Sequence, residues 1–90
     1  MGTVRIPTPL RNLSGGKDIL NTKAGDLRSC IAELESMHPG LKERLCDETG
    51  ELRRFVNIYV NGEDVRFLDG LATQLKEHDE ISIVPAVAGG

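Results

Sequence analysis

Few residues in this 90-residue chain have types and spacings suited to chemistry. Cys30 and Cys46 form no Cys-x-x-Cys pair, so neither a zinc framework nor a thioredoxin-type motif is present. A disulfide is not expected in a reducing compartment. Cys30 falls on an apolar helical face and reads as a small buried hydrophobe. Cys46 lies near Arg44, which could lower a thiol pKa, but no histidine partner is placed by the sequence. His38 and His78 stand alone, one beside a helix end and one in an acidic turn. Gly15-Gly16 lacks the following helix and lysine of a phosphate loop and reads as a turn. What remains is the C-terminus, ISIVPAVAGG, which ends on the carboxylate of Gly90.

That ending has a physical logic. Ile81 and Ile83 alternate with Ser82 and Val84 at the strand period, and Pro85 cannot donate to a ladder, so pairing should stop there. Residues 86–90 then form an extended tail. Gly89 and Gly90 lack a Cβ, so the last peptide could thread where a side chain would clash. Five residues at about 3.4 Å each reach about 17 Å, far enough to enter another protein's buried site. Val87 is the candidate anchor, because it is the one tail residue with a sizeable apolar side chain; Ala86 and Ala88 flank it. The competing interpretation is a frayed end.

Composition narrows the classes. A chain of 9.8 kDa makes one domain, expected over residues 1–85, with the tail at 86–90. Hydrophobic content of 39% with 28% charged residues suits a globule rather than a disordered chain, and no apolar run approaches the ~18 residues of a membrane span. The net charge of −3 argues against a nucleic-acid footprint. The start, MGTVRIPTP, has no basic segment followed by an apolar core, and Ile6 stands where a myristoylation pattern wants Ser or Thr. A cytoplasmic protein, monomeric when free, is therefore expected.

The elements that must hold the tail follow from periodicity. Residues 3–6 place Val4 and Ile6 on one strand face, and the chain passes Pro7 and Pro9 to a Ser14-Gly15-Gly16 hairpin turn. A short return strand over 17–21 carries Ile19. From Asp26 the period changes: Leu27, Cys30, Ile31, Leu34 and Met37 mark one face of an amphipathic helix, opposite Arg28, Glu33 and Glu35. Asp26 caps its start and Pro39-Gly40 ends it. Residues 41–45 allow one more helical turn, and 47–51 form a polar loop. Phe55, Asn57 and Tyr59 alternate with Val56, Ile58 and Val60, predicting a central strand covered at least partly on both faces. Asn61-Gly62 is a type I′ hairpin signal. Residues 71–75 make a short turn or helix before the last strand. The order is strand, strand, helix, strand, short strand, strand. It gives an α+β, β-grasp (ubiquitin-like) domain: a mixed four- to five-stranded sheet with one main helix across one face. A right-handed crossover makes the second and third strands parallel members of one sheet.

With these residues in place, the whole chain resembles the ubiquitin-like sulfur carrier proteins that end in Gly-Gly. The resemblance is densest in RFVNIYVNGEDVRF (54–67), GLAT (70–73) and IVPAVAGG (83–90). Within the family it looks most like the cysteine-pathway carrier, which is related to the thiamine-pathway carrier and to the small subunit of molybdopterin synthase. The molybdopterin relatives commonly carry two prolines before the tail, where this chain has Pro85-Ala86. The resemblance implies a non-enzymatic protein cosubstrate acting through Gly90. Its carboxylate would be adenylated by an ATP-dependent, ubiquitin-activator-like sulfurtransferase and converted to a thiocarboxylate. In the cysteine pathway a pyridoxal-phosphate cysteine synthase would accept the sulfur, and a zinc metallopeptidase would release the product. ATP, pyridoxal phosphate and zinc would be held by those enzymes, not by this chain. The runners-up are the molybdopterin synthase small subunit and a ubiquitin-like modifier.

A docking surface is expected beside the tail. Arg53, Arg54 and Arg66 cluster around the central hairpin, and Phe67 and Leu68 add an apolar spot. Together with Ala86, Val87, Ala88 and Gly89, residues Arg54, Arg66 and Phe67 are the candidates for contact with the activating enzyme. The alternative for the arginines and Phe67 is a solvated edge over a satellite core.

Overall fold

The computed structural model describes residues 1–85. The expected tail, Ala86, Val87, Ala88, Gly89 and Gly90, lies outside the described residues. The strands are β1 (Gly2–Arg5), β2 (Ile19–Thr22), β3 (Val56–Val60), β4 (Glu63–Asp64) and β5 (Glu80–Pro85). The helices are α1 (Leu27–Met37) and α2 (Leu41–Leu45), and 3₁₀ turns occupy Thr8–Leu10, Val65–Phe67 and Gly70–Ala72.

One five-stranded mixed sheet has the order β2-β1-β5-β3-β4. β1 pairs antiparallel with β2 and parallel with β5, while β3 runs antiparallel to both β5 and β4. β2 and β3 therefore point the same way without being neighbours, as expected from the helical crossover. This is the β-grasp fold. The central position expected for the 56–60 strand belongs instead to β5, which is flanked by β1 and β3.

The period-2 pattern explains the core. Val4, Leu20, Val56, Ile58, Val60, Ile81 and Ile83 project to one face of the sheet and join Leu27, Cys30, Ile31 and Leu34 of α1 in a single buried cluster. Asn57 and Tyr59 on the opposite face of β3 are half-buried. Two apolar residues depart from expectation. Met37, in the last turn of α1, is 50% exposed, because the helix ends where the chain turns away at Pro39-Gly40. Ile19 is exposed, and Leu20 carries the core face of β2. The β1–β2 connection is also longer than a hairpin turn. Ile6 N donates to Asp18 O at 2.7 Å, closing a loop in which Ser14 is fully buried and donates to Lys17 O. Gly15 (φ 68°) and Gly16 (φ 82°) supply its left-handed corner.

Polar side chains lock the layers. Asp26 accepts from Ser29 N at 2.7 Å as the cap of α1, which holds its carboxyl below the usual range. Glu33 and Glu35 are more than a solvated face. Glu33 accepts from Thr22 Oγ1 and Lys23 N at the end of β2, and Glu35 accepts from Gly40 N and Lys42 N at the start of α2. Thr73, buried, donates Oγ1 to Gly70 O and accepts from Asp69 N, while Thr73 O receives Leu27 N at 3.0 Å. The GLAT segment thus ties the start of α1 to the turn before β5.

Candidate functional site

Every residue expected to react lies beyond Pro85, so the describable part of the site is its root. β5 is held on both sides: Thr3, Val4 and Arg5 pair with Glu80, Ile81 and Ser82, while residues 56–60 of β3 pair with residues 81–85. Ile81 and Ile83 face the core, and Val84 is 45% exposed on the opposite face. Pro85 pairs with Val56 at the end of the ladder. The start of β5 is fastened as well. Asn61 N donates to Glu80 O at 2.8 Å, and Asn61 Oδ1 accepts from Glu80 N at 2.9 Å. Asn61 Nδ2 donates to Asp79 Oδ1 at 2.9 Å, and Lys76 N donates to Asp79 Oδ2 at 2.8 Å; these bonds hold the Asp79 carboxyl below its ordinary pKa. Asn61 (φ 52°) and Gly62 (φ 87°) both adopt the left-handed conformation that a type I′ turn requires. The strand is thus tied at its start and paired with β3 through Pro85, the last described residue.

Around that strand end lie the expected docking residues. Arg54 is exposed. Phe67 is 87% exposed, an unusual state for a large aromatic side chain, and Phe55, Leu68 and Val84 are also exposed. Arg66 is exposed too, but its guanidinium is turned onto the chain. It donates to Asn57 Oδ1 (2.7 Å), Arg53 O (2.9 Å) and Val56 O (2.7 Å), with a longer approach to Arg54 O (3.4 Å). The sequence cluster of arginines is real in space, since Arg66 reaches the main chain of both Arg53 and Arg54. No sequence signal announced that its partners would be carbonyls.

The other chemical candidates separate from this site. Cys30 is buried under α1, and burial, with Glu33 and Asp26 contributing, pushes its thiol pKa up. Cys46 is buried as well. Desolvation raises its pKa despite the opposing charges of Lys42 and Arg28, the reverse of the lowering expected from Arg44. His78 adopts φ 67° in an exposed turn, and its N–H donates to Met1 O. His38 ends α1, donating its backbone N–H to Leu34 O. Among the described residues, no group of three or more His, Cys, Asp or Glu side chains could hold a metal ion, and no helix is long and apolar enough to cross a membrane.

The fold and the root of its last strand define a ubiquitin-like domain. Comparison makes the assignment narrower: residues 4–90 match the model of the ThiS family. The chain belongs to that family, and the resemblance to ubiquitin-like sulfur carriers holds along its length. It is 50% identical over 90 residues to the sulfur carrier protein CysO of Mycobacterium tuberculosis, covering 98% of this chain and 97% of the relative. It is 43% identical to small archaeal modifier protein 3 of Haloferax volcanii, covering 97% and 96% of the two chains. A chain in the crystal structure of the Amycolatopsis orientalis BexX/CysO complex superposes with a TM-score of 0.94 at 47% identity, covering 100% of both.

Proposed function

We propose that this protein is a sulfur carrier for cysteine biosynthesis, a cosubstrate whose reacting group is the Gly90 carboxylate. The observation that carries this proposal is the extent of the family match, which runs through residue 90 and so includes the Gly-Gly end. Half-identity to CysO over nearly the whole chain supports the cysteine pathway over other members.

The chemistry requires activation because a carboxylate is a poor electrophile: its charge repels nucleophiles, and oxide is a poor leaving group. Attack of a Gly90 carboxylate oxygen on the α-phosphorus of ATP expels pyrophosphate and gives an acyl adenylate. Sulfide then attacks the acyl carbon, and AMP leaves; a persulfide in its place gives an acyl disulfide, which a second thiol cleaves to the thiocarboxylate while forming a disulfide with the donor sulfur. The product is a C-terminal thiocarboxylate, a nucleophilic sulfur held covalently on a protein. A side chain at position 90 would crowd the acyl carbon, and one at 89 would restrict the approach.

The resemblance to the cysteine-pathway carrier implies the partners: an adenylating sulfurtransferase, a pyridoxal-phosphate synthase that accepts the sulfur, and a metallopeptidase that releases cysteine. They would supply ATP chemistry, pyridoxal phosphate and zinc, leaving this chain to present its tail. The exposed Phe67, with Arg54 and the outer edge of Arg66, would meet the adenylating enzyme beside the root of the tail, where Ala86, Val87, Ala88 and Gly89 enter its site. The relative solved as the BexX/CysO complex shows that a similar protein engages a partner chain.

Intact-mass measurement of the protein from its own cells tests the proposal. A species in which one oxygen is replaced by sulfur, localised to Gly90 and lost on Gly90 deletion, is the expected result. Growth without cysteine that survives Gly90 deletion would refute it. The 43% identity to a small archaeal modifier favours one second interpretation, a protein modifier. Remnants of this tail on target lysines, found by peptide mass spectrometry, would mark that role.

A further inference from the structure

Arg66 has a structural position that its exposure conceals. β4 is two residues long and pairs only with Tyr59 and Val60, so it stops before the beginning of β3. Farther back on β3, the Val56 carbonyl receives no strand from that side; it receives Arg66 Nη2 at 2.7 Å. The same guanidinium reaches Arg53 O and Asn57 Oδ1, while Val56 N donates to Arg53 O at 3.0 Å and closes the turn that leads into β3. Arg66 is itself oriented from behind, because its backbone N–H donates to Asp64 Oδ1 at 2.9 Å.

Val56 is the residue opposite Pro85. Asn61 N donates to Glu80 O, so the bonded pairs of this ladder run 61/80, 59/82 and 57/84, and Val56–Pro85 is a non-bonded pair in which the N–H and C=O of Val56 point away from β5, to Arg53 O and Arg66. The Val56–Pro85 pair therefore has no backbone bond of its own. Its geometry is set from the far side of Val56, by the guanidinium. The partners are neutral oxygens rather than carboxylates, so shape and donor count matter here more than charge. A planar fork with five N–H donors can span a side-chain amide and two carbonyls; an ammonium group with three donors on a flexible stem cannot reproduce it.

We propose that Arg66 is a positioning residue for the segment after Pro85: its guanidinium replaces the ladder partner that β4 does not supply and fixes Val56, the residue opposite Pro85. This inference rests on the sulfur-carrier proposal for its consequence in the reaction, because a displaced root misplaces the Gly90 carboxylate in the adenylating site. Misplacement by even about 1 Å can cost on the order of a hundredfold in rate.

The test compares Arg66→Lys with Arg66→Gln in the full-length chain, after thermal melts establish that each remains folded. Amide spectra are recorded for Val56, Asn57 and Val84, with the hydrogen-exchange rate of the Val56 N–H. ATP-dependent formation of the Gly90 adenylate is followed with a ubiquitin-activator-like adenylating enzyme. Both variants should shift these amides and accelerate Val56 exchange, and kcat should fall roughly ten- to a hundredfold with KM within about twofold. Wild-type kcat in Arg66→Lys, or a higher KM with unchanged kcat, would overturn the proposal, because charge-mediated docking would then suffice. Should either variant unfold, Asn57→Ala removes one acceptor outside the main chain and should move the Val56 and Val84 amides in the same direction. If the wild-type chain is not adenylated, the sulfur-carrier proposal fails. The amide shifts then decide alone: changes at Val56 and Val84 sustain the role of Arg66 at the root of the tail, and their absence refutes it.

Discussion

The contrast between Leu34 and Met37 gives a direct test of how α1 holds the domain together. Both lie on the helical stripe that starts at Leu27, yet Leu34 is 1% exposed and Met37 is 50% exposed. Leu34→Ala removes buried methyl groups from a cluster with Ile31, Ile58 and Ile83 and leaves a cavity, which costs about 3 kcal/mol within a usual range of roughly 2–5. For a 90-residue domain, total stability is about 5–14 kcal/mol, so the loss takes a large share of it. At an unfolding entropy of about 2.1 cal/mol/K per residue, the same loss lowers Tm by roughly 16 °C. Met37→Ala removes a half-solvated side chain, gains slightly in helix propensity, and should stay within about 0.5 kcal/mol, or roughly 3 °C. Thermal melts by circular dichroism and urea titrations measure both. The urea midpoint should fall for Leu34→Ala with no change in slope. Equal destabilisation by the two substitutions would refute the helix register and the placement of the core described here.

Two further outcomes follow from the electrostatics. Asp79 has its carboxyl pKa depressed by Lys76 N and Asn61 Nδ2, so its stabilising contribution is complete above the unfolded value near 3.8 and is lost as pH falls through the lower folded value. Asp79→Asn should therefore lower stability at neutral pH and flatten its dependence below pH 3.8, as measured by urea titrations across that range; parallel curves for the two proteins would contradict the assignment. Cys30 and Cys46, buried with raised pKa values, should react with iodoacetamide in the native protein far more slowly than after unfolding in urea; rapid native labelling of Cys46 would point instead to an activated thiol.

Much of this architecture was legible because it depends on short-range patterns. The spacing of Leu27, Cys30, Ile31 and Leu34, the Asp26 cap and the Asn61-Gly62 turn each follow from local backbone rules, and the structure places them as those rules require. What the sequence concealed depends on contacts between distant segments. Glu33 and Glu35 look like a solvated helical face until the end of β2 and the start of α2 arrive as backbone donors. Met37 has the right period for the core but stands in the last turn, where the helix has nothing left to cover it. The centrality of β5 was hidden for a similar reason. Strand order depends on the crossover rather than on composition, so the apolar stretch of Ile81, Ser82, Ile83 and Val84 does not by itself announce a middle position. At the candidate site, the arginine cluster and exposed Phe67 were legible as residue types, whereas the hydrogen bonds of Arg66 to main-chain oxygens were not.

The central position of the last strand connects fold to proposed chemistry. An edge strand can fray from its open side, and a tail attached to it would have a wandering origin. At its start β5 has β1 on one side and β3 on the other, with Asn61 and Asp79 securing it; over residues 83–85 it pairs with β3 alone. Local opening at Pro85, where β3 is the one paired neighbour, therefore requires the loss of that pairing. In the carrier role proposed above, the Gly90 carboxylate is five residues beyond Pro85, and a root held in the sheet would narrow the positions from which those residues start. Every residue of the tail still costs about 1–2 kcal/mol of backbone entropy when a partner orders it. In that role a fixed root would confine that cost to the residues after Pro85.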